Sequence, residues 1–127
     1  MSAKSPVLDS PRGCTNLKLR QITRRVSRHY DAAVSASGLK TTQYSLLSHV
    51  VSLGPVRPSD LAGAMNLDAS TLTRNLQPLV AQGWVELSAG VDGRSRLVSI
   101  TEAGRAKRTE TQRLWKQAQT SLNEQLG

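Results

Sequence analysis

The sequence predicts a mainly α-helical fold with one small β-hairpin. Apolar residues recur at intervals of three or four positions over most of the chain, which is the period of an amphipathic helix. The period changes to two short β-type runs, at residues 84–88 and 96–100, which flank a turn-rich segment. The length of 127 residues is that of one ordinary domain.

The N-terminal part predicts a polar tail and one long helix. Residues 1–12 are polar, contain Pro6 and Pro11, and are typical of a disordered tail. We predict a helix over residues 14–36, which Gly38 ends. Its apolar positions are Leu19, Ile22, Val26, Tyr30 and Ala33.

Three shorter helices are predicted next. The first runs from residue 41 or 42 to Leu53, and Gly54 stops it. The second begins at an expected N-cap, Ser59, and the third begins at Asp68 or Ser70. The side chains expected to face inward are Tyr44, Leu47, Val50, Val51, Leu61, Ala62, Met65, Leu72, Leu76, Leu79 and Val80.

The C-terminal part predicts one further long helix. Thr101 is its expected cap, and the helix covers residues 102–126. Its expected inward side chains are Leu114, Trp115, Ala118, Leu122 and Leu126. The chain thus divides into a disordered tail at 1–12, an N-terminal helix at 13–37, a central domain at 38–101 and a C-terminal helix at 102–127.

The central domain has the element order of a winged helix-turn-helix. A short helix, a tight turn and a second helix are followed directly by a basic hairpin, the wing. A helix fits the major groove of duplex DNA, where Arg pairs with guanine and Asn or Gln with adenine. Ordinary solvent-facing side chains are the alternative interpretation. The outward positions, which are the candidate base-reading residues, are Ser70, Thr71, Thr73, Arg74, Asn75 and Gln77.

The hairpin and a helix start supply further candidate DNA contacts. Arg94 lies at the tip, where a guanidinium can enter the negative minor groove, and Arg96 follows it. Asp92 can hold the Arg94 side chain or shape the turn. Arg57 and Ser59 lie near a helix start and can position the DNA backbone. A solvated basic loop is the alternative for the tip.

The charge balance favours a polyanionic partner. Lys and Arg total 17 against 9 for Asp and Glu, a net charge of +8, whereas aromatic residues make up only 3%. Proteins that hold single strands combine positive charge with aromatic stacking, so this composition favours duplex phosphate. Water and salt, an acidic partner or phosphate must neutralise the first helix. It carries Lys18, Arg20, Arg24, Arg25 and Arg28 without a carboxylate between Asp9 and Asp31.

Several other classes have little support. No stretch approaches the length of a membrane helix, and the N-terminus has no apolar signal region. The single cysteine excludes an internal disulfide framework, which favours a reducing cytoplasm. No catalytic triad, phosphate loop or metal-ligand cluster is evident, so we expect no enzyme, cofactor or metal. His29 and His49 are predicted to be packing or surface histidines.

Three segments resemble the multiple-antibiotic-resistance regulator (MarR) family of winged helix-turn-helix repressors. They are GLKTTQYSLLSHV at 38–50, RPSDLAGAMNLDASTLTRNLQPLVAQGWVEL at 57–87 and VDGRSRLVSITEAG at 91–104. The Asp-x-Arg wing, followed by a strand and Leu/Ile-Thr-x-x-Gly, is the most specific element. The resemblance covers roughly residues 14–127.

The resemblance implies a homodimer, held by the first and last helices, on a pseudo-palindromic operator. It implies release by a small aromatic effector or by cysteine oxidation. The family arrangement puts Tyr30, Tyr44 and His49 in the candidate effector pocket, with His29 and Arg25 beside them. Family members usually end with a further helix, and its absence from this sequence predicts a weaker dimer.

Cys14 is the candidate redox sensor. It lies near the start of the first helix, where the helix dipole and basic neighbours lower a thiol pKa. Its position is similar to that of the sensing cysteine in the organic-hydroperoxide-sensing branch of the family. A structural thiol is the alternative interpretation.

The sequence therefore predicts a sequence-specific, double-stranded-DNA-binding transcriptional regulator. A repressor released by a small effector or by thiol oxidation fits best. A non-specific basic nucleic-acid-binding module is the alternative, and a peroxide-reducing enzyme that uses Cys14 is a third hypothesis.

Overall fold

The computed structural model describes residues 11–90 and 96–126, and it describes side chains from Cys14 onward. The predicted mainly α-helical fold with one hairpin is confirmed. A 3-10 turn, Ser35–Ser37, follows the first helix. The elements in chain order are α1 (Pro11–Val34), α2 (Thr41–Leu53), α3 (Pro58–Ala64), α4 (Ala69–Ala81), β1 (Val85–Ala89), β2 (Arg96–Ile100) and α5 (Glu102–Leu126).

The core lies between α2, α3, α4 and the hairpin. Its fully buried members include Leu46, Leu47, Val50, Leu61, Leu72, Leu79, Val85 and Val98. Each buried leucine contributes about 1.5–3 kcal/mol relative to an exposed one. Two predictions of inward side chains are wrong. Val80 is 37% exposed because it borders a surface cavity beside the hairpin, and Leu126 is 77% exposed in the last turn of α5.

The helix starts confirm two predicted caps and correct a third. Asp68 caps α4, and the Thr101 hydroxyl accepts from Gly104 N at 3.0 Å at the start of α5. Ser59 is not the N-cap of α3, as predicted; Arg57 occupies that position. The reason is Pro58, which takes the first helical position because it has no amide hydrogen to satisfy there.

The hairpin is anchored to the segment before α3. Its antiparallel register runs from Val85 opposite Ile100 to Ala89 opposite Arg96, so β1 begins one residue later than predicted. Val56 N donates to Val98 O at 3.0 Å, and Val98 N donates to Val56 O at 2.8 Å. The wing is therefore held to the helix-turn-helix by backbone hydrogen bonds.

Helices α1 and α5 run antiparallel, and α5 covers only the C-terminal part of α1. The contacts progress from His29 with Ala118 to Ser37 with Thr111. Helix α1 begins at Pro11, so the last two residues of the expected tail are helical, and residues 1–10 of that tail lie outside the described residues. The side chains from Thr15 to Arg25 lack such cover and are all exposed. Leu17, Leu19 and Ile22 are consequently 47%, 58% and 56% exposed in the single chain.

Asp31 joins the end of α1 to the start of α2, and it makes the fold sensitive to acid. Thr41 N donates to the carboxylate at 2.9 Å, and this bond holds the pKa of Asp31 below its ordinary value. A lowered native pKa stabilises the fold above the unfolded pKa of about 4, and that contribution disappears as the pH falls through the native value.

We therefore expect Asp31→Asn to flatten the loss of stability below about pH 4. The amide oxygen still accepts the Thr41 bond but does not titrate. Thermal unfolding midpoints of both proteins between neutral and acidic pH are the measurement. Curves that stay parallel across this range would show that Asp31 makes no such contribution.

Candidate nucleic-acid interface

Helix α4 presents a continuous polar row to solvent. Leu72, Leu76 and Leu79 are buried against the core and set the rotation of the helix. Thr71 is half-buried at the edge of the row. The exposed members are Ser70, Thr73, Arg74, Asn75 and Gln77. The helix continues through Pro78 to Ala81, so the proline does not end it.

The first turn of α4 is ordered by Asp68. Its carboxylate accepts from Thr71 N at 2.7 Å and from the Ser70 hydroxyl at 2.9 Å. The Thr71 bond, followed by the Ser70 bond, holds the pKa of Asp68 below its ordinary value. The carboxylate therefore stays ionised to lower pH than an ordinary Asp, and its bond keeps the Ser70 hydroxyl turned toward the helix start.

Arg74 is oriented from within its own helix. Arg74 Nη2 donates to the Thr71 hydroxyl oxygen at 3.3 Å. Thr73 donates its hydroxyl to Ala69 O at 2.9 Å. Both hydroxyls are therefore engaged in the helix, whereas the rest of the guanidinium remains free to bind a guanine edge or a phosphate.

Arg57 precedes α3 and lies in an exposed ion pair. Its Nε atom is 3.3 Å from Asp60 Oδ2, and the two side chains are 61% and 59% exposed. Pairs this exposed contribute little to stability, so Arg57 can exchange its carboxylate for a phosphate at small cost. Ser59 is exposed beside it on the first turn of α3.

The described part of the wing supplies one arginine. Arg96 is exposed at the start of β2, opposite Ala89. Arg94 and Asp92, the predicted tip residues, lie outside the described residues, so their roles stay predictions.

A cavity of about 430 Å³ lies between α4 and the hairpin. Its lining is apolar apart from a few polar groups, and it includes the flank of the polar row. The lining residues are Pro58, Thr73, Leu76, Gln77, Val80, Ala81, Leu87 and Arg96. Sequence reasoning missed this cavity because three separate segments build it, and because Val80, which was expected to face the core, lines the cavity instead.

The predicted effector residues are only partly brought together. The rings of Tyr30 and Tyr44 both pack on Trp115. Their centroids lie 6.0 Å and 6.1 Å, respectively, from the centroid of the Trp115 ring. The Tyr30 hydroxyl donates to Gln119 Oε1 at 2.6 Å. His49 Nδ1 instead lies 2.8 Å from Ser45 O of its own helix. The effector role of these residues stays a prediction.

Cys14 is half-buried near the start of α1. Tyr30 lies sixteen residues further along the same helix, about 24 Å away at 1.5 Å per residue, so within one chain its hydroxyl does not reach Cys14. A redox role for Cys14 stays a prediction.

The described residues contain neither a metal-binding cluster nor a membrane-spanning helix. Within 11–90 and 96–126, no group of three or more His, Cys, Asp or Glu side chains is placed to hold a metal ion. No helix in this part of the chain is long and apolar enough to cross a membrane.

Comparison with known proteins agrees with this geometry. The model of the MarR family matches residues 37–95. The transcriptional regulator MosR of Mycobacterium tuberculosis, solved in complex with DNA, is 32% identical, with a TM-score of 0.76 over 87% of this chain and 81% of that one. The chain belongs to the MarR family. Its members are transcriptional regulators, and the predicted resemblance is confirmed.

Other relatives of this MarR-family chain support the same family or the same fold. The uncharacterised regulator YwoH of Bacillus subtilis is 28% identical over 93 residues, 73% of this chain and 68% of YwoH. A mutant of Escherichia coli MarR in complex with operator DNA has a TM-score of 0.81 over 97% of this chain and 87% of that one, and at 22% identity it supports the fold alone. The chain spans 60–68% of the length of the curated relatives it matches.

Proposed function

We propose that this chain is a sequence-specific, double-stranded-DNA-binding transcriptional regulator. Residues 38–101 bind the DNA, with the exposed row of α4 in the major groove and the wing on its flank. One observation carries this proposal: a capped helix presents an exposed arginine, Arg74, and two exposed amides, Asn75 and Gln77, next to an arginine-bearing hairpin. These groups have the donor and acceptor pattern that base edges require. The protein acts where the DNA is, which we propose is the cytoplasm.

The active form that we propose is a homodimer on a pseudo-palindromic operator. Leu19 and Ile22 leave apolar surface exposed on the side of α1 that also carries His29 and Tyr30, and a second copy would bury it. The flanking helices α1 and α5 then form the dimer, and two copies of α4 read two half-sites. A two-fold symmetric protein reads a sequence with matching symmetry.

Selection of bound sequences from random duplex DNA tests the function. We expect enrichment of an inverted repeat whose half-sites lie about one helical turn, ~34 Å, apart. Competition by unselected duplex should be weak at moderate ionic strength. If no sequence is enriched and every duplex of equal length competes equally, the chain is the non-specific basic module and not a regulator.

We propose further that the cavity beside α4 takes a small aromatic carboxylate, which releases the DNA. Leu76, Val80 and Leu87 provide apolar walls for a ring, and Arg96 provides a charged partner for a carboxylate. A ligand here would occupy Arg96 and crowd the flank of the polar row. The action as a repressor would follow from this release.

Calorimetry with 2-hydroxybenzoate as the probe checks the cavity. We expect Arg96→Gln to weaken binding about tenfold or more, since hydrogen bonds to charged groups contribute about 1.5–3 kcal/mol. Arg57→Gln is the matched control, because Arg57 is exposed and does not line the cavity. Equal binding by the wild type and the Arg96 variant would exclude this site.

A further inference from the structure

From Lys18 to Arg28, helix α1 carries five cations, and three of them, Arg20, Arg24 and Arg28, form an aligned row that we call the basic ridge. The other two are Lys18 and Arg25. All five are exposed, and within the described part of the chain none has a carboxylate at ion-pair distance. Arg20, Arg24 and Arg28 follow one another at four-residue intervals, which spaces them about 6 Å apart along the helix. Like charges at this spacing repel each other. The row therefore leaves positive charge that a negatively charged partner can neutralise.

The basic ridge faces away from the packing of α1. His29 and Tyr30 contact Ala118 and Gln119 of α5, and these contacts define the inner side of the helix. Arg20, Arg24 and Arg28 lie on the opposite side at 100° per residue. A second copy that covered the apolar line of Leu19 and Ile22 would therefore leave these three guanidinium groups accessible.

The base-reading domain itself is nearly neutral. Its cations are Lys40, Arg57, Arg74, Arg94 and Arg96, and its carboxylates are Asp60, Asp68, Glu86 and Asp92. Most of the net charge of +8 thus lies outside the domain that reads bases. The attraction between protein and phosphate, which dominates affinity for DNA and its salt dependence, needs a source beyond that domain.

Four of the nine Asp and Glu side chains of the chain are engaged elsewhere. Asp31, Asp60 and Glu110 are engaged with Thr41, Arg57 and Lys107 respectively, and Asp68 caps α4. A second copy, itself at +8, is therefore a poor electrostatic partner. Single-stranded nucleic acid is disfavoured too, because the aromatic ring on α1, Tyr30, is stacked on Trp115.

We propose that the basic ridge of α1 is a second, sequence-independent binding surface for duplex DNA phosphates. It contributes affinity and salt dependence, while α4 contributes sequence preference. This inference rests on the proposed function only for the choice of DNA as the polyanion. The ridge makes the same contacts with any duplex, because phosphates carry no direct sequence information.

The test compares how DNA binding by two triple variants depends on the salt concentration. Arg20→Gln, Arg24→Gln and Arg28→Gln together remove the aligned ridge arginines. Arg105→Gln, Arg113→Gln and Lys116→Gln remove the same charge from exposed positions of α5. Binding of a random 30-bp duplex and of the selected duplex is measured over a range of salt concentrations, and circular dichroism verifies that each variant is folded.

We expect the ridge variant to flatten the plot of log K against log salt by about 0.9 for each lost phosphate contact, up to about 2.7 per chain. The shift should be the same on both duplexes, so the specificity ratio is unchanged. An unchanged slope, or an equal change in the α5 variant, would overturn the proposal. Loss of binding to phosphatidylserine vesicles without a change on DNA would also overturn it. The specificity ratio of the wild type tests the proposed function separately, because the ridge effect is measurable on random duplex alone.

Discussion

Arg74→Ala should abolish most of the preference for the selected operator. The guanidinium is exposed at the centre of the α4 row and held by the Thr71 hydroxyl at 3.3 Å. Loss of a bidentate contact with a guanine costs about 1–3 kcal/mol, which corresponds to a drop in operator affinity of about 5- to 150-fold. Titration of the selected and the random duplex at one salt concentration measures both affinity and specificity.

Two conservative variants separate charge from geometry. Arg74→Lys keeps the charge but lacks the planar fork, so it should restore binding to random duplex and leave the operator preference low. Thr71→Val keeps the shape of the side chain but removes the hydroxyl that orients Arg74, and it should give a smaller loss of preference. If Arg74→Ala weakens both duplexes equally, Arg74 contacts phosphate and reads no base.

Gly104→Ala should strongly destabilise the fold. Gly104 is buried in the first turn of α5 against the start of β1. A Cβ atom there would collide with the Trp84 carbonyl oxygen and lie 2.7 Å from Ile100 Cδ1. The obstacle includes backbone, so the helix must move away, and overpacking of this kind costs about 1–3 kcal/mol or more.

Gly63→Ala is the matched control for this substitution. Gly63 also lies in a helix, α3, but a Cβ atom there would meet nothing within 4 Å. Alanine is the better helix former, so we expect a gain of about 0.5–1 kcal/mol. Denaturant unfolding of both variants and the wild type measures the difference, and similar stability of the two variants would contradict the role assigned to Gly104.

The local predictions succeeded where one residue and its neighbours decide the outcome. Asp68 and Thr101 cap their helices as predicted, because a short side chain before a helix finds the free amides of the first turn. Ser59 was assigned by the same rule and is wrong, because the adjacent Pro58 occupies the first helical position. Two local rules competed there, and the proline has the firmer backbone constraint.

The predictions that failed or stayed incomplete depend on contacts between distant segments. Leu126 continues the apolar period of α5, but the helix extends beyond its contacts with α1 and leaves that side chain exposed. Tyr30 and Tyr44 meet at Trp115, whereas His49 is engaged by its own helix. Periodicity identifies the side of a helix that can be buried, but it does not say which partner is present to cover it.

The amino-acid order by itself determined the elements, their order and the polar row of α4, because helix period, caps and hairpin turns are local properties. Tertiary packing alone decided how the two helical flanks join the winged domain. Lys107 Nζ donates to Ser37 O at 2.9 Å and lies 5.5 Å from the centre of the Trp84 ring, and the buried Thr111 hydroxyl donates to Ser37 Oγ. These groups are separated by tens of residues, so only the folded chain brings them into contact.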